Sequence, residues 1–496
     1  MRPKLQLLDS ALVERILDEA LELMFTIGVK VGTPSVIDLL VSSGANAEGD
    51  VVRIPSGLVR RALESVPKDF FLYDRAGKAA VHYGGDDVQF DPGSSCLNIL
   101  DAETQQPRPA QADDLVRLIR VTEMLPAYAA QSTAMVCNDV PSPMGDWYRL
   151  LLVLWYSSKP IVTGAFSVLT LKIMFELLAA DSGGLAALQA KPRAVFDVCP
   201  SPPLNWSEFA SQNLVELARA GIPAEIVSMP LAGATAPVTL AGAVVQHAAE
   251  CLSGIVIHQL ANPGAPIVWG GAPAIFDMST GNTPMGAIET AMLDLACAQV
   301  GKSLGLPTHG YLVASDARSL DAQAGMESGG SALLGALAAI NMISGAGMLD
   351  FLACHSIEKL VIDAEAIASA QRLITGIEPR TEKLALSMFA QTGLHGDFLK
   401  LKETRALFRQ EQHFPSPVID RGADPVRTDI FTRARQRVEE LLQSYARPAI
   451  AAEIESALRE IAVRHGKAAG LDHLPGIELP GLDVPSTKLE PASARR

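Results

Sequence analysis

Apolar residues recur at helical spacing close to the start of the chain. Val13, Leu17, Leu21 and Met24 fall on one face of a helix that Ser10 can cap and Gly28 can stop. Thr33-Pro34 opens a second helix by the cap-then-proline rule, ending near Gly44. Val51 to Ile54, Phe70 to Tyr73 and Val88 to Phe90 read as short strands between turn residues. These elements make residues 1–115 an N-terminal α/β extension.

Beyond residue 116 the pattern becomes strand alternating with helix. Eight apolar runs follow: Ala127 to Val136, Pro160 to Phe166, Ala194 to Cys199, Ala224 to Met229, Pro266 to Trp269, Pro307 to Val313, Met342 to Met348 and Leu360 to Ile362. Each gap has room for a crossover helix. Several runs open on proline, as at Pro160, Pro223, Pro266 and Pro307, which suits the first position of a strand. Eight such units predict an α/β fold with a (β/α)8 TIM barrel over 116–375, an open doubly wound sheet being the alternative. A C-terminal helical extension over 376–474 follows, with amphipathic stretches at Ile430 to Leu442 and Ile450 to Val463. The proline-punctuated segment 475–496 is expected to be a flexible tail.

Ile226 to Ala249 and Gly329 to Leu349 carry no Asp, Glu, Lys or Arg over long runs, but prolines and glycines interrupt them, so no membrane span is expected. Apolar content of 48% with 19% charged residues fits a chain with a large core. The net charge of −14 disfavours nucleic acid, whose phosphates need clustered Lys and Arg. Six scattered cysteines, without a C-x-x-C pair or a recognisable secretory signal, read as reduced thiols of a cytoplasmic protein. No metal site is expected.

In such a barrel the reactive groups lie at the C-terminal ends of the strands. The places to look are Asn138-Asp139; Asp197 and Cys199; Trp269, Gly270 and Gly271; His309, Tyr311 and Asp316, with Gln323 and Glu327 beyond; Gly345 and Gly347; and Asp363 and Glu365. Each has a structural alternative. His309 can be a hydrogen-bonded core residue, Asp316 and Glu327 a cap or ion pair, and Trp269 packing beside glycines that permit close backbone approach. There is no P-loop, dinucleotide fingerprint or nucleophile elbow, and no strand-end lysine for a Schiff base.

Taken in order, several segments carry a resemblance: Ile27 to Val31, Val52 to Pro55, Val66-Pro67 and Leu72 to Arg75 early on; Leu306 to Tyr311, Ser315 to Arg318 and Asp321 to Glu327 at the centre; then Gly345 to Gly347, Ser356 to Val361 with Asp363 and Glu365, and Arg433-Ala434. The chain resembles the trimethylamine methyltransferase family, and within it the members that lack pyrrolysine. The resemblance implies that a methylated amine binds at the barrel mouth and passes a methyl group to the Co(I) corrinoid (cobalamin) of a separate protein. It also implies a homo-oligomer. The chain has no D-x-H-x-x-G pattern for ligating cobalamin, so no tightly bound cofactor is expected and the corrinoid should arrive on a partner.

Ordinary residues fill the strand-six region where pyrrolysine is expected. This favours a quaternary amine, such as glycine betaine or a related betaine, whose fixed charge makes the amine a good leaving group. Aromatic faces and carboxylates suit such a cation, at roughly 0.5–2 kcal/mol per cation–π contact. On this reading Asp316, His309 and Glu327 are the catalytic candidates. Trp269, Tyr311, Gln323, Arg318, Gly270, Gly271, Gly345 and Gly347 are the substrate-binding ones, with His309 or Arg318 available for a betaine carboxylate. The rival readings are a lyase or hydrolase using Asp316 and His309 as an acid–base pair, and a quaternary-amine-binding protein without turnover.

Overall fold

The computed structural model describes residues 2–424, 426–471 and 473–477, apart from the side chain of His395. The fold is α/β. Its centre is built from eight short parallel strands: β1 (Gln89–Pro92), β2 (Gln131–Ser132), β3 (Ile161–Gly164), β4 (Ala194–Val198), β5 (Ala224–Ser228), β6 (Ile267–Gly271), β7 (His309–Tyr311) and β8 (Met342–Ala346). One parallel sheet runs β6-β5-β4-β3-β2 and a second runs β7-β8-β1. At one flank Trp269 bridges Thr308, with Trp269 N donating to Pro307 O at 2.9 Å. At the other, Ala129 N donates to Phe90 O at 2.9 Å.

Seven of the eight expected strand regions contain a strand of this set. The eighth does not: Leu360 to Ile362 lies inside the helix Ile357–Ile374, which Ser356 caps through Lys359 N. The strand that takes its place is β1, which pairs with β8. A domain boundary at residue 115 therefore cuts through the parallel sheet, because residues 89–92 were expected in the extension.

Two smaller corrections concern the N-terminal region. Asp9, not Ser10, caps the first helix, accepting from Leu12 N at 2.8 Å. Val29–Val31 pairs with Val51–Arg53 on one side and with Asn205–Trp206, far along the chain, on the other. The extension is thus stitched to the helical layer beyond β4.

The hairpin of Phe70–Tyr73 and Ala79–Tyr83 positions the site. Its Leu72, Val81 and Tyr83 form one buried cluster with Ala130, Val162, Val195, Val268 and Met342. These last five lie at or beside the N-terminal parts of the parallel strands, so the hairpin stoppers that end. Burial of apolar area, at about 25 cal/mol per Å², holds it there.

Leu240–Ala261 is the one described helix long and apolar enough to cross a membrane, and 83% of its most apolar window is buried inside the protein. It packs against the helices Ser10–Thr26, Ser56–Ser65 and Glu208–Ala220, which makes it a core helix. Helices at Ile430–Ser444 and Ala452–Ala468 form as their amphipathic patterns predict. The expected tail lies outside the described residues beyond Ile477.

Candidate functional site

Side chains alternate across a strand, so residues two apart share a face. Above the apolar layer of Val195 and Val268, several of the next inward positions are polar. Asp197 follows Val195 on β4, and Glu225 is its register partner on β5. Asp91 on β1, His309 on β7 and Ser344 on β8 complete the layer.

The contacts form a chain. Ser344 Oγ donates to Asp91 Oδ1 at 2.6 Å and shares a 3.0 Å hydrogen bond with His309 Nε2. His309 Nδ1 lies 3.0 Å from Glu225 Oε1 without the in-line geometry of a hydrogen bond. Tyr83 Oη, reaching up from the hairpin, donates to Glu225 Oε2 at 3.2 Å. Glu225 and Asp197 stand side by side as register partners on neighbouring strands.

Burial dominates the electrostatics of this layer. It lowers His309 to about 3, so its imidazole is neutral. Asp197 rises to about 7 by burial. Glu225 rises well above its usual range through burial, then through the charges of Asp197 and Asp91. Asp91 is likewise raised by burial. Among the described residues no Lys or Arg forms an ion pair with any of the three, whose only basic neighbour is His309.

Asp197, Cys199 and Tyr311 lie deep in the protein yet keep accessible surface, as do Ser94 and Gly164. Deep position with retained surface describes the wall of a recess at the C-terminal ends of the strands. Tyr311 Oη accepts from Ser94 N at 2.8 Å, and its ring stands edge-on to His309 at 6.3 Å. Arg149, at the start of the helix Gly145–Tyr156, is buried beside this rim. Its Nη1 donates to Ser95 Oγ at 2.9 Å and to Thr133 O at 3.0 Å, and its guanidinium lies under the Phe166 ring.

The structure brings His309 and Tyr311 to this recess and places the other candidates elsewhere. Trp269 points away: its indole is fully buried against the helix Ile288–Ser303 and donates to Cys297 O at 2.9 Å. It therefore offers no face to a ligand. Gly270 lies against His309, and a Cβ there would come within 3.1 Å of the ring. Gly271 is packed by His247 from the helix Leu240–Ala261.

Asp316 has both oxygens occupied, accepting from Met285 N and Gly286 N at 2.8 Å each. Glu327 accepts from Ser315 Oγ at 2.5 Å, Asp316 N at 2.9 Å and Gln323 Nε2 at 2.9 Å. These residues clamp the loops after β6 and β7 together, so an acid–base pairing of Asp316 with His309 is not present. Arg318 is exposed and paired with Asp350 at 3.0 Å. Gly347, at φ +84°, donates its N–H to Asp363 Oδ2 at 2.7 Å, and Gly345, at φ +119°, sits against the Leu312 carbonyl. Asp363 is held by Lys359 at 2.6 Å, which also donates to Val313 O and Ser328 Oγ. This stretch supports the strand ends from behind.

Asp91, Glu225, Ser344 and Tyr83 were not among the sequence candidates. The available signal was a lone carboxylate inside an apolar strand, as in Ala224–Ser228, where a charge is costly unless something needs it.

A family model for trimethylamine methyltransferase (MTTB) matches residues 1–470. The trimethylamine methyltransferase MttB of Methanosarcina barkeri is 31% identical over 466 residues, covering 90% of this chain and 92% of that one. The MttB of Desulfitobacterium hafniense is 28% identical over 452 residues, covering 89% and 90%. A glycine betaine methyltransferase of Desulfitobacterium hafniense is 27% identical over 475 residues, covering 94% and 98%. In fold, the chain is similar to the Methanosarcina barkeri monomethylamine methyltransferase MtmB, with a TM-score of 0.52 and 11% identity over 89% of each chain. The chain belongs to the trimethylamine methyltransferase family, and it is a methyltransferase.

Proposed function

We propose that this enzyme takes a methyl group from a quaternary amine, glycine betaine or a related betaine, and delivers it to the Co(I) corrinoid of a separate protein. The observation that carries the reading is the inner layer: Asp197 keeps accessible surface in the recess, Asp91 and Glu225 are buried behind it with a neutral histidine, and among the described residues no Lys or Arg pairs with them. An anionic lining without its own cation suits a ligand of fixed positive charge.

In this reading the eight strands form one closed (β/α)8 barrel, supported by the Trp269–Thr308 bridge and the Ala129–Phe90 hydrogen bond at the two flanks. The recess is then the barrel mouth. Asp197 binds the ammonium, Glu225 adds its charge from behind, and the Tyr311 ring packs the methyl groups and aligns one of them outward. Water exclusion strengthens each of these contacts. When the C–N bond breaks, the electron pair stays on nitrogen and a neutral tertiary amine leaves, so no general acid is required. The corrinoid supplies the nucleophile that receives the methyl.

Arg149, buried near the rim, is already paired with Asp146 at 3.5 Å and donates to Ser95 and Thr133, so its charge is not free for a betaine carboxylate. The apolar side chains of Phe166, Leu169, Val238, Met278, Ile288 and Met326 are exposed on the segments following β3, β5, β6 and β7. Such a rim fits the docking of a corrinoid carrier. Exposed Ile377, Leu384, Leu386 and Leu399 in the C-terminal extension support a homo-oligomer. Six free thiols suit a cytoplasmic setting.

The test supplies a Co(I) corrinoid protein with candidate amines and follows the demethylated product. Conversion of glycine betaine to dimethylglycine is expected. Turnover of trimethylamine with none of any quaternary amine would overturn the proposal.

A further inference from the structure

The hydrogen count of the inner layer leads beyond the identity of the substrate, while resting on the cation-binding reading above. Three links join Asp91 to Ser344, Ser344 to His309 and His309 to Glu225, and Asp197 is the register partner of Glu225 on the neighbouring strand. Each link brings two electronegative atoms together and needs one hydrogen between them. Ser344 supplies one and the neutral imidazole supplies one. If all three carboxyls were ionised, one link would have none, and a nitrogen lone pair would face a carboxylate oxygen in a buried site.

His309 adds an independent pointer. It is 4% exposed, and its Nδ1 has no hydrogen-bond partner although it lies 3.0 Å from Glu225 Oε1, which has none either. With Ser344 Oγ donating to Asp91, His309 must donate through Nε2, which leaves Nδ1 bare. A bare nitrogen 3.0 Å from a carboxyl oxygen is tolerated when that oxygen carries the hydrogen.

We propose that the empty site stores a proton on the Glu225–Asp197 carboxyl pair, and that a bound quaternary ammonium expels this proton to solvent. The O–H bond breaks, its electron pair stays on the carboxylate, and the proton goes to buffer. Nothing is oxidised or reduced. The stored proton keeps the empty recess from concentrating negative charge, and the arriving cation takes over its role.

The titratable groups facing the pair are Asp91 on β1, Tyr83 on the hairpin, Cys199 on β4, and His309 and Tyr311 on β7. Burial keeps Tyr83, Tyr311 and Cys199 un-ionised, with Cys199 pushed up to about 12. Burial also keeps His309 neutral, so neither it nor the two tyrosines and the thiol supplies a compensating proton. Cation affinity should then rise with pH and level off above about 7, where Asp197 of the empty site titrates. Where one proton is released per ligand, the rise approaches about tenfold per pH unit.

The test is titration calorimetry at pH 6 with glycine betaine and with tetramethylammonium, in two buffers of different ionisation enthalpy. It is paired with infrared difference spectra of the same wild-type protein. About one proton released per bound cation is expected, together with loss of the carbonyl stretch of an un-ionised carboxyl. Asp197→Asn should still bind, more weakly, with release falling towards zero. Binding without proton exchange and without the infrared change would overturn the stored proton while leaving the substrate reading intact. Failure of both cations to bind would overturn the two together.

Discussion

Two acidic regions stand close to the strand ends, and they are built for opposite purposes. In the loop cluster, Asp316 and Glu327 receive hydrogen bonds from Met285 N, Gly286 N, Ser315 Oγ, Asp316 N and Gln323 Nε2. Their charge is spent on holding two loops in place. In the inner layer, Asp91 Oδ2, Asp197 Oδ1 and Glu225 Oε1 are buried without a hydrogen-bond donor of their own. Full satisfaction marks a clamp, whereas incomplete satisfaction in a recess marks a place awaiting a ligand.

The largest effect that separates the two regions should come from Glu225→Gln. It keeps the shape of the inner layer and removes one carboxylate, so affinity for a quaternary ammonium should fall about 100-fold, or roughly 2.7 kcal/mol, with the melting temperature little changed. Equilibrium binding and thermal denaturation of the same sample check this.

Next comes the pH dependence of Asp197→Asn. Asp197 is raised to about 7 in the folded protein and titrates near 3.9 when unfolded. Its carboxyl therefore supports the fold fully below about pH 4, and this support is lost as pH rises through about 7. The stability of the variant relative to wild type should climb across that window and level off above it, read from denaturant midpoints.

Asp316→Ala should behave in the opposite way to Glu225→Gln. It strands two backbone donors, Met285 N and Gly286 N, and should destabilise by about 1–3 kcal/mol while changing cation affinity by less than about threefold. Smallest is Arg318→Ala: its ion pair with Asp350 is solvent-exposed, and stability should move by less than about 0.5 kcal/mol with binding unaltered. A large loss of binding in either variant would return the loop cluster to the site.

The same contrast explains how much the sequence disclosed. The alternation of apolar runs and helical stretches located seven strand regions, because buried parallel strands are continuous apolar segments. The sequence puts the β1 region among the short strands of the extension, and a hairpin, a helix and long loops separate it from β2. Leu360 to Ile362 looked like a strand, but a Ser356 cap and packing on both sides make it helix. His309 and Tyr311 were legible from the strand-end rule. Trp269 was not, since only the pleat decides that Trp269 faces the helices while Gly270 faces inward. Asp316 and Glu327 drew notice as crowded carboxylates, yet the number of backbone donors each receives depends on loop conformation, which composition does not encode.

The central claim is that the recess recognises a fixed positive charge and not merely a bulky trimethyl group. The most direct measurement compares glycine betaine with its carbon isostere 3,3-dimethylbutanoate, which has the same shape and carboxylate but no charge at the branching atom. At pH 7.5 the betaine should bind at least about 100-fold more tightly, roughly 2.7 kcal/mol. Equal affinity for the two would contradict the account.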